Sequence, residues 1–142
     1  MARIERTTQK IFAGEADNNG VFGSLQAGAG TTTSSLKEIQ SLPAFTQGWN
    51  LATVSSEKLP SLEEMQGLQF LFTSQLAYQF QEGMPEWDAE TTYYKGSMVK
   101  VFDGEDVVIY FSNSDDNIGN QPASDSEYWT TWSTSGTVTY WD

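Results

Sequence analysis

Apolar positions along the chain fall into three regimes, each with its own spacing. From the N-terminus to about residue 34, short apolar pairs alternate with turn signals. Ile11-Phe12 is followed by Ala13-Gly14, Val21-Phe22 by Gly23, and Ala27-Gly28-Ala29-Gly30 by three threonines. Asp17-Asn18-Asn19-Gly20 is expected to be a turn, because Asn and Gly take up positive φ at little cost. The pattern predicts an extended, irregular arm with a few anchoring rings. Such an arm is expected to lie on another subunit or a partner.

The second regime is helical. Ser35 and Glu38 have the spacing of a capping box, in which each side chain satisfies an orphan backbone N–H of the other. A short helix over Leu36, Ile39 and Gln40 is expected, stopped by Pro43. Phe45 and Trp49 then stand in a loop, and Trp49 needs an apolar wall. The main helix is predicted from about Ser61 to Glu82. Ser61 and Glu64 repeat the capping-box spacing, and Gly83 with Pro85 ends the run. Leu62, Met65, Leu68 or Gln69, Phe72, Leu76 and Phe80 form one stripe at three-to-four spacing. Phe70, Leu71, Ala77 and Tyr78 widen it, so the helix is expected to pack on two sides, one against another copy. The rings expected at that interface are Phe12, Phe22, Trp49, Phe70, Phe72 and Phe80.

The third regime, from Trp87, is that of strands. Ser97 to Phe102 alternates with period two, Asp103-Gly104-Glu105-Asp106 is a turn, and Val107 to Phe111 returns antiparallel. Ser112 to Ser126 is a polar loop. Tyr128 to Trp132 is a short strand, and Thr137 to Trp141 reads as a last strand or an arm. The fold class is therefore α+β. An irregular arm and helical front part, 1–84, precede a small antiparallel β module, 85–142.

Charge narrows the partners. The 142 residues carry 19 acids and 7 bases, net −12. Residues 1–82 hold five bases and eight acids, and residues 83–142 two bases and eleven acids, so the acidity belongs to the tail. Nucleic-acid binding needs clustered Lys and Arg, and docking on anionic lipid needs a basic surface, so neither partner is expected. The absence of Cys and His removes disulfides, thiolate nucleophiles, Cys/His metal sites and Ser-His-acid triads. No cofactor and no metal centre is expected. Carboxylate pairs are the remaining catalytic option, among Glu86, Asp88 and Glu90 or Asp103, Glu105 and Asp106. They cluster in turns, where acids are solvated, so the chain is expected not to be an enzyme. Asn113, Asp115, Asp116, Asn117 and Asn120 supply hard oxygens around Gly119, but without the spacing of an EF-hand loop. Polar residues follow Met1-Ala2-Arg3 and no apolar run has membrane-spanning length, so synthesis in a cytoplasm is expected.

Two resemblances give these patterns a context. Trp87-x5-Tyr93-x2-Gly96-x2-Val99, the Phe102-Asp103-Gly104 turn, Tyr110, Pro122 and Trp129 resemble the small chitin-binding carbohydrate modules found beside bacterial chitinases and cellulases. The resemblance implies a core built from Trp87, Tyr93, Gly96, Val99, Tyr110 and Trp129. In such modules an exposed ring stands just ahead of the proline and stacks on sugar; here that place holds Asn120-Gln121. Tyr94, Phe111 or Trp132 would have to supply the stacking face, with Asp115 and Asp116 bonding hydroxyls.

The front part resembles the N-terminal region of tailed-bacteriophage tail-fibre and related tail proteins, over about residues 10–100. Its carriers are Ile11 to Gly14, Asn18 to Ser24, Leu42 to Phe45, Gln47 to Asn50 and Leu59 to Gly67. It implies a virion tail component, a homo-oligomer and most often a trimer, attached to other phage tail proteins. The leading expectation is a tail fibre or a fibre-anchoring connector that also contacts host-surface glycan. The alternative is a carbohydrate-binding module of a secreted bacterial glycan-degrading enzyme.

Overall fold

The computed structural model of the chain describes residues 2–3, 5–49 and 59–132. The expected strand or arm at 137–141 lies outside the described residues. The fold is α+β, and the chain divides into two compact units, Met1–Gln81 and Glu82–Asp142. The expected break was at 84/85.

Unit 1 is organised by one long helix. In order along the chain it contains β1 (Asn19–Gly20), α1 (Ser24–Ala27), β2 (Thr32–Thr33), α2 (Leu36–Ile39), α3 (Ala44–Gln47) and most of α4 (Leu62–Glu82). β1 and β2 pair antiparallel, Asn19 opposite Thr33 and Gly20 opposite Thr32. Both capping boxes form in part or in full. At α2, Ser35 Oγ accepts from Glu38 N at 3.4 Å, while the Glu38 carboxylate accepts from Thr33 Oγ1. At α4 the box closes: Ser61 Oγ accepts from Glu64 N at 3.1 Å, and Glu64 Oε2 accepts from Ser61 N at 3.1 Å.

The segment from Arg6 to Asn18 does not behave as a free arm. It runs antiparallel along its own helix. The Arg6 guanidinium stands 4.6 Å from the Phe80 ring centroid, Phe12 N donates to Thr73 Oγ1 at 2.9 Å, and Gln66 Nε2 donates to Asn18 Oδ1 at 3.0 Å. The turn also differs from expectation. It falls at Phe12–Glu15, with Ala13 at φ 54°, while Asn19 and Gly20 are buried in β1. Gly20 is needed for closeness. A Cβ on Gly67 would lie 2.3 Å from the Gly20 carbonyl oxygen, and a Cβ on Gly20 would lie 2.6 Å from the Glu63 carbonyl carbon. Two glycines let the strand cross the helix backbone to backbone.

That crossing decides which side of α4 is buried. Glu64, Gly67, Leu71, Ser74 and Ala77 face inward. The rest of the unit 1 core is Val21, Phe22 and Ile39. At 100° per residue, the stripe of Leu62, Met65, Phe72, Leu76 and Phe80 points the other way. Leu62, Met65, Phe72, Leu76 and Phe80 are exposed. The buried side is made mostly of small residues, whose contribution is close approach and not greasiness.

Unit 2 contains β3 (Met98–Asp103), β4 (Asp106–Ser112) and β5 (Trp129–Thr131) in a three-stranded antiparallel sheet of that order. The β3–β4 hairpin closes at Asp103–Asp106, with Val99 opposite Tyr110. Its core is Tyr93, Val99 and Trp129, with Trp87, Tyr110 and Tyr128 packed against it. The Tyr93 and Trp129 rings meet edge-on at 5.3 Å. Gly96 takes φ 90° in the turn that leads into β3, and its N–H donates to the Ser112 carbonyl at 2.9 Å.

Candidate interaction surfaces

Three places in the chain assemble side chains in a way that calls for chemistry: the N-terminus of α4, one face of the β3–β5 sheet, and the outward face of α4.

At the start of α4, Glu64 is almost fully buried, with 1% exposure. Its carboxylate accepts three hydrogen bonds. Oε1 takes the Gly23 N–H at 2.5 Å, and Oε2 takes the Ser61 N–H and hydroxyl, each at 3.1 Å. The acid sits where the positive end of the helix dipole favours it. With its acceptor sites filled by the chain's own donors, Glu64 is a clasp between the helix start and the loop after β1. Capping-box spacing marks the Ser61 half of this arrangement; nothing in the sequence marks Gly23.

On the sheet, direct cross-strand partners share a face. Met98 with Phe111, Lys100 with Ile109 and Phe102 with Val107 therefore line the face opposite the Val99 core. Trp132 N donates to the Ile109 carbonyl at 2.8 Å, so the chain continues in register past β5. The Phe111 and Trp132 rings meet at 6.1 Å and 70°. Lys100, itself buried, pairs with the Glu82 carboxylate and stands 5.6 Å from the Phe102 ring centroid.

The expected sugar-contacting residues fall into two groups. Phe111 and Trp132 are together on this sheet face. Asp115 instead folds back to accept the Lys95 N–H at 3.0 Å, beside the exposed Tyr94, and Asp116 is exposed at φ 54°. The place where a stacking ring would precede the proline is occupied structurally. Asn120 Nδ2 donates to Asn117 Oδ1 at 2.9 Å, and the Asn120 carbonyl accepts the Trp129 indole N–H at 2.7 Å. Asn117 is fully buried and also donates to Ser112 Oγ and the Tyr128 carbonyl.

The polar loop thus spends its side chains on itself. Asn113 Oδ1 accepts from Thr130 Oγ1 at 2.6 Å. Among the described residues no three Asp or Glu side chains are grouped to hold a metal ion. Glu86, Asp88, Glu90, Asp103, Glu105 and Asp106 are all exposed. Among the described residues, no helix is long and apolar enough to cross a membrane.

The interface rings expected from sequence separate into three kinds. Phe72 and Phe80 are on the open face of α4, and Phe12 is exposed on the segment beside it. Phe70 is half-buried. Phe22 is not at a surface: it is 3% exposed and packs edge-on against Phe45 at 5.9 Å and Trp49 at 4.8 Å. The wall that Trp49 needs is thus Phe22 of the same chain, and Phe22 leaves the list of interface residues.

Comparison with protein-family models, with curated proteins and with solved structures gives no match.

Proposed function

We propose that the chain is a non-enzymatic structural component of a bacteriophage tail, a tail fibre or a connector that anchors one. It is a homo-oligomer, a trimer by the resemblance of its front part to tail-fibre proteins. It sits in the virion tail and binds other tail proteins, with unit 2 as the part that meets a host-surface glycan or a neighbouring tail protein. One observation carries this reading. The main apolar stripe of α4 is left open because the opposite side is already closed by the chain's own segment at Gly20 and Gly67. Exposed apolar surface of that continuity marks an assembly site.

Antibody against the chain is expected to decorate the tails of purified phage particles in electron micrographs. Particles without tail label, from lysates that hold the chain only in the soluble fraction, would overturn the assignment.

The second reading is a carbohydrate-binding module of a secreted glycan-degrading enzyme. The half-exposed Trp132 beside Phe111 favours it, since a sugar ring stacks on such a face. A monomer retained on insoluble glycan would favour this reading over the first.

A further inference from the structure

The open face of α4 has a finer pattern than a stripe. Positions 62, 65, 69, 72, 76 and 79 follow one another at alternating steps of three and four, the repeat of the seam between supercoiled helices. They hold Leu62, Met65, Gln69, Phe72, Leu76 and Gln79, and all six are exposed. Phe80 flanks the last turn. We propose that this face is the seam of a parallel, in-register coil formed with other copies of the same chain. The inference rests on the oligomeric reading above and adds the orientation and register of the helices.

Three observations point to a second copy as the occupant. The first is charge. Between Met65 and Gln81 the helix has no charged residue, in a chain of net −12. Copies of so acidic a chain repel one another at most surfaces, and here the helix itself contributes no charge, with Arg6 standing over Phe80 at the edge of the face. The second is area. Large apolar side chains each present on the order of 200 Å² when free. Leu62 at 85% exposure and Met65, Phe72, Leu76 and Phe80 at 43–55% offer roughly 550 Å² per copy. A standard interface buries about 800 Å² per partner, of which somewhat more than half is apolar.

The third is the pair of glutamines in the seam. In a parallel, in-register coil Gln69 meets Gln69, and an amide donor finds an amide acceptor at the same level. In an antiparallel coil Gln69 falls near Phe72, and residue 79 near Leu62. A buried amide then faces a hydrocarbon, which is unfavourable. A single polar layer is the device by which helical seams choose register and orientation.

The chain has no cysteine, so a single introduced thiol reports on its own counterpart. Gln79→Cys in the full chain, oxidised at micromolar concentration, is expected to give a disulfide-linked dimer on a non-reducing gel. Residues 62 and 79 stand roughly 25 Å apart along the helix at about 1.5 Å per residue. A disulfide needs Cα atoms within about 7 Å. A cross-link seen only when Leu62→Cys and Gln79→Cys proteins are mixed would overturn the parallel register. No cross-link in either case, with an oligomeric mass retained, would overturn the seam and leave the oligomer standing. A monomeric mass would overturn the oligomeric reading as well.

Discussion

Replacing Phe72 with Glu tests the open face of α4 at its centre. The ring is 55% exposed in the single chain. A Phe side chain presents on the order of 200 Å², so about 110 Å² is available for burial between copies. At about 25 cal/mol per Å² this is ~3 kcal/mol per copy. Association also orders side chains and desolvates polar groups, so the net contribution is smaller, on the order of half. That still amounts to about tenfold per copy, and roughly a thousandfold in a trimer where three rings change together. The substitution also brings like charges together in a drying seam, which adds to the loss. Phe72→Glu is therefore expected to run as a monomer in light scattering at micromolar concentration. Its circular dichroism should stay helical, because an exposed site shifts the stability of the single chain by about 0.5 kcal/mol, while its melting temperature should fall toward that of the isolated chain as the stabilisation by association is lost. An unchanged oligomeric mass would refute the seam. Loss of the helix signal would refute the claim that Phe72 lies outside the core.

Other substitutions test the framework. Gly67→Ala puts a methyl against the Gly20 carbonyl, where 2.3 Å is available, and is expected to lower unit 1 stability by about 1–3 kcal/mol in urea unfolding. An unshifted midpoint would mean the crossing is looser than described. Glu64→Gln turns an amide donor toward either Gly23 N–H or the Ser61 donors, leaving a buried donor unmatched, with an expected loss of about 1–3 kcal/mol. Stability equal to the parent would mean that the clasp contributes nothing. Trp129→Phe keeps an aromatic ring but removes the indole bond to Asn120 and leaves a gap in the core, and is expected to cost about 1–3 kcal/mol of unit 2 stability. Trp132→Ala, at an exposed ring, is expected to leave the fold intact; weaker retention on insoluble glycan would support the sugar-reading alternative, and unchanged retention would remove Trp132 as a platform.

What could be read without coordinates was the chemistry that is local in sequence. Ser61 and Glu64 announce a helix start because the capping bonds span only three residues. The β3–β4 hairpin is legible because Asp103 to Asp106 separate two strand-forming runs. The unit 2 core was expected from the resemblance to small chitin-binding modules, and Tyr93, Val99 and Trp129 do cluster there. The small-residue side of α4 that the chain covers itself was not legible. Periodicity marks where apolar side chains line up, and the buried side was chosen by backbone approach at Gly67, which periodicity does not weigh. Phe22 was misplaced for a related reason. Its neighbours Ile39, Phe45 and Trp49 are distant in sequence, and only the return of the chain through β1 and β2 brings them around it. Asn117 looked like a solvated loop residue, and its burial follows from backbone pairing with Tyr93.

The central claim is that the open face of α4 is covered by further copies of the chain. Its most direct measurement is the mass of the purified protein in solution, by light scattering at micromolar concentration. One chain has a mass of 15.8 kDa. A stable multiple of that mass, three chains by the tail-fibre resemblance, is the predicted result. A single-chain mass that persists as the concentration is raised would contradict the claim.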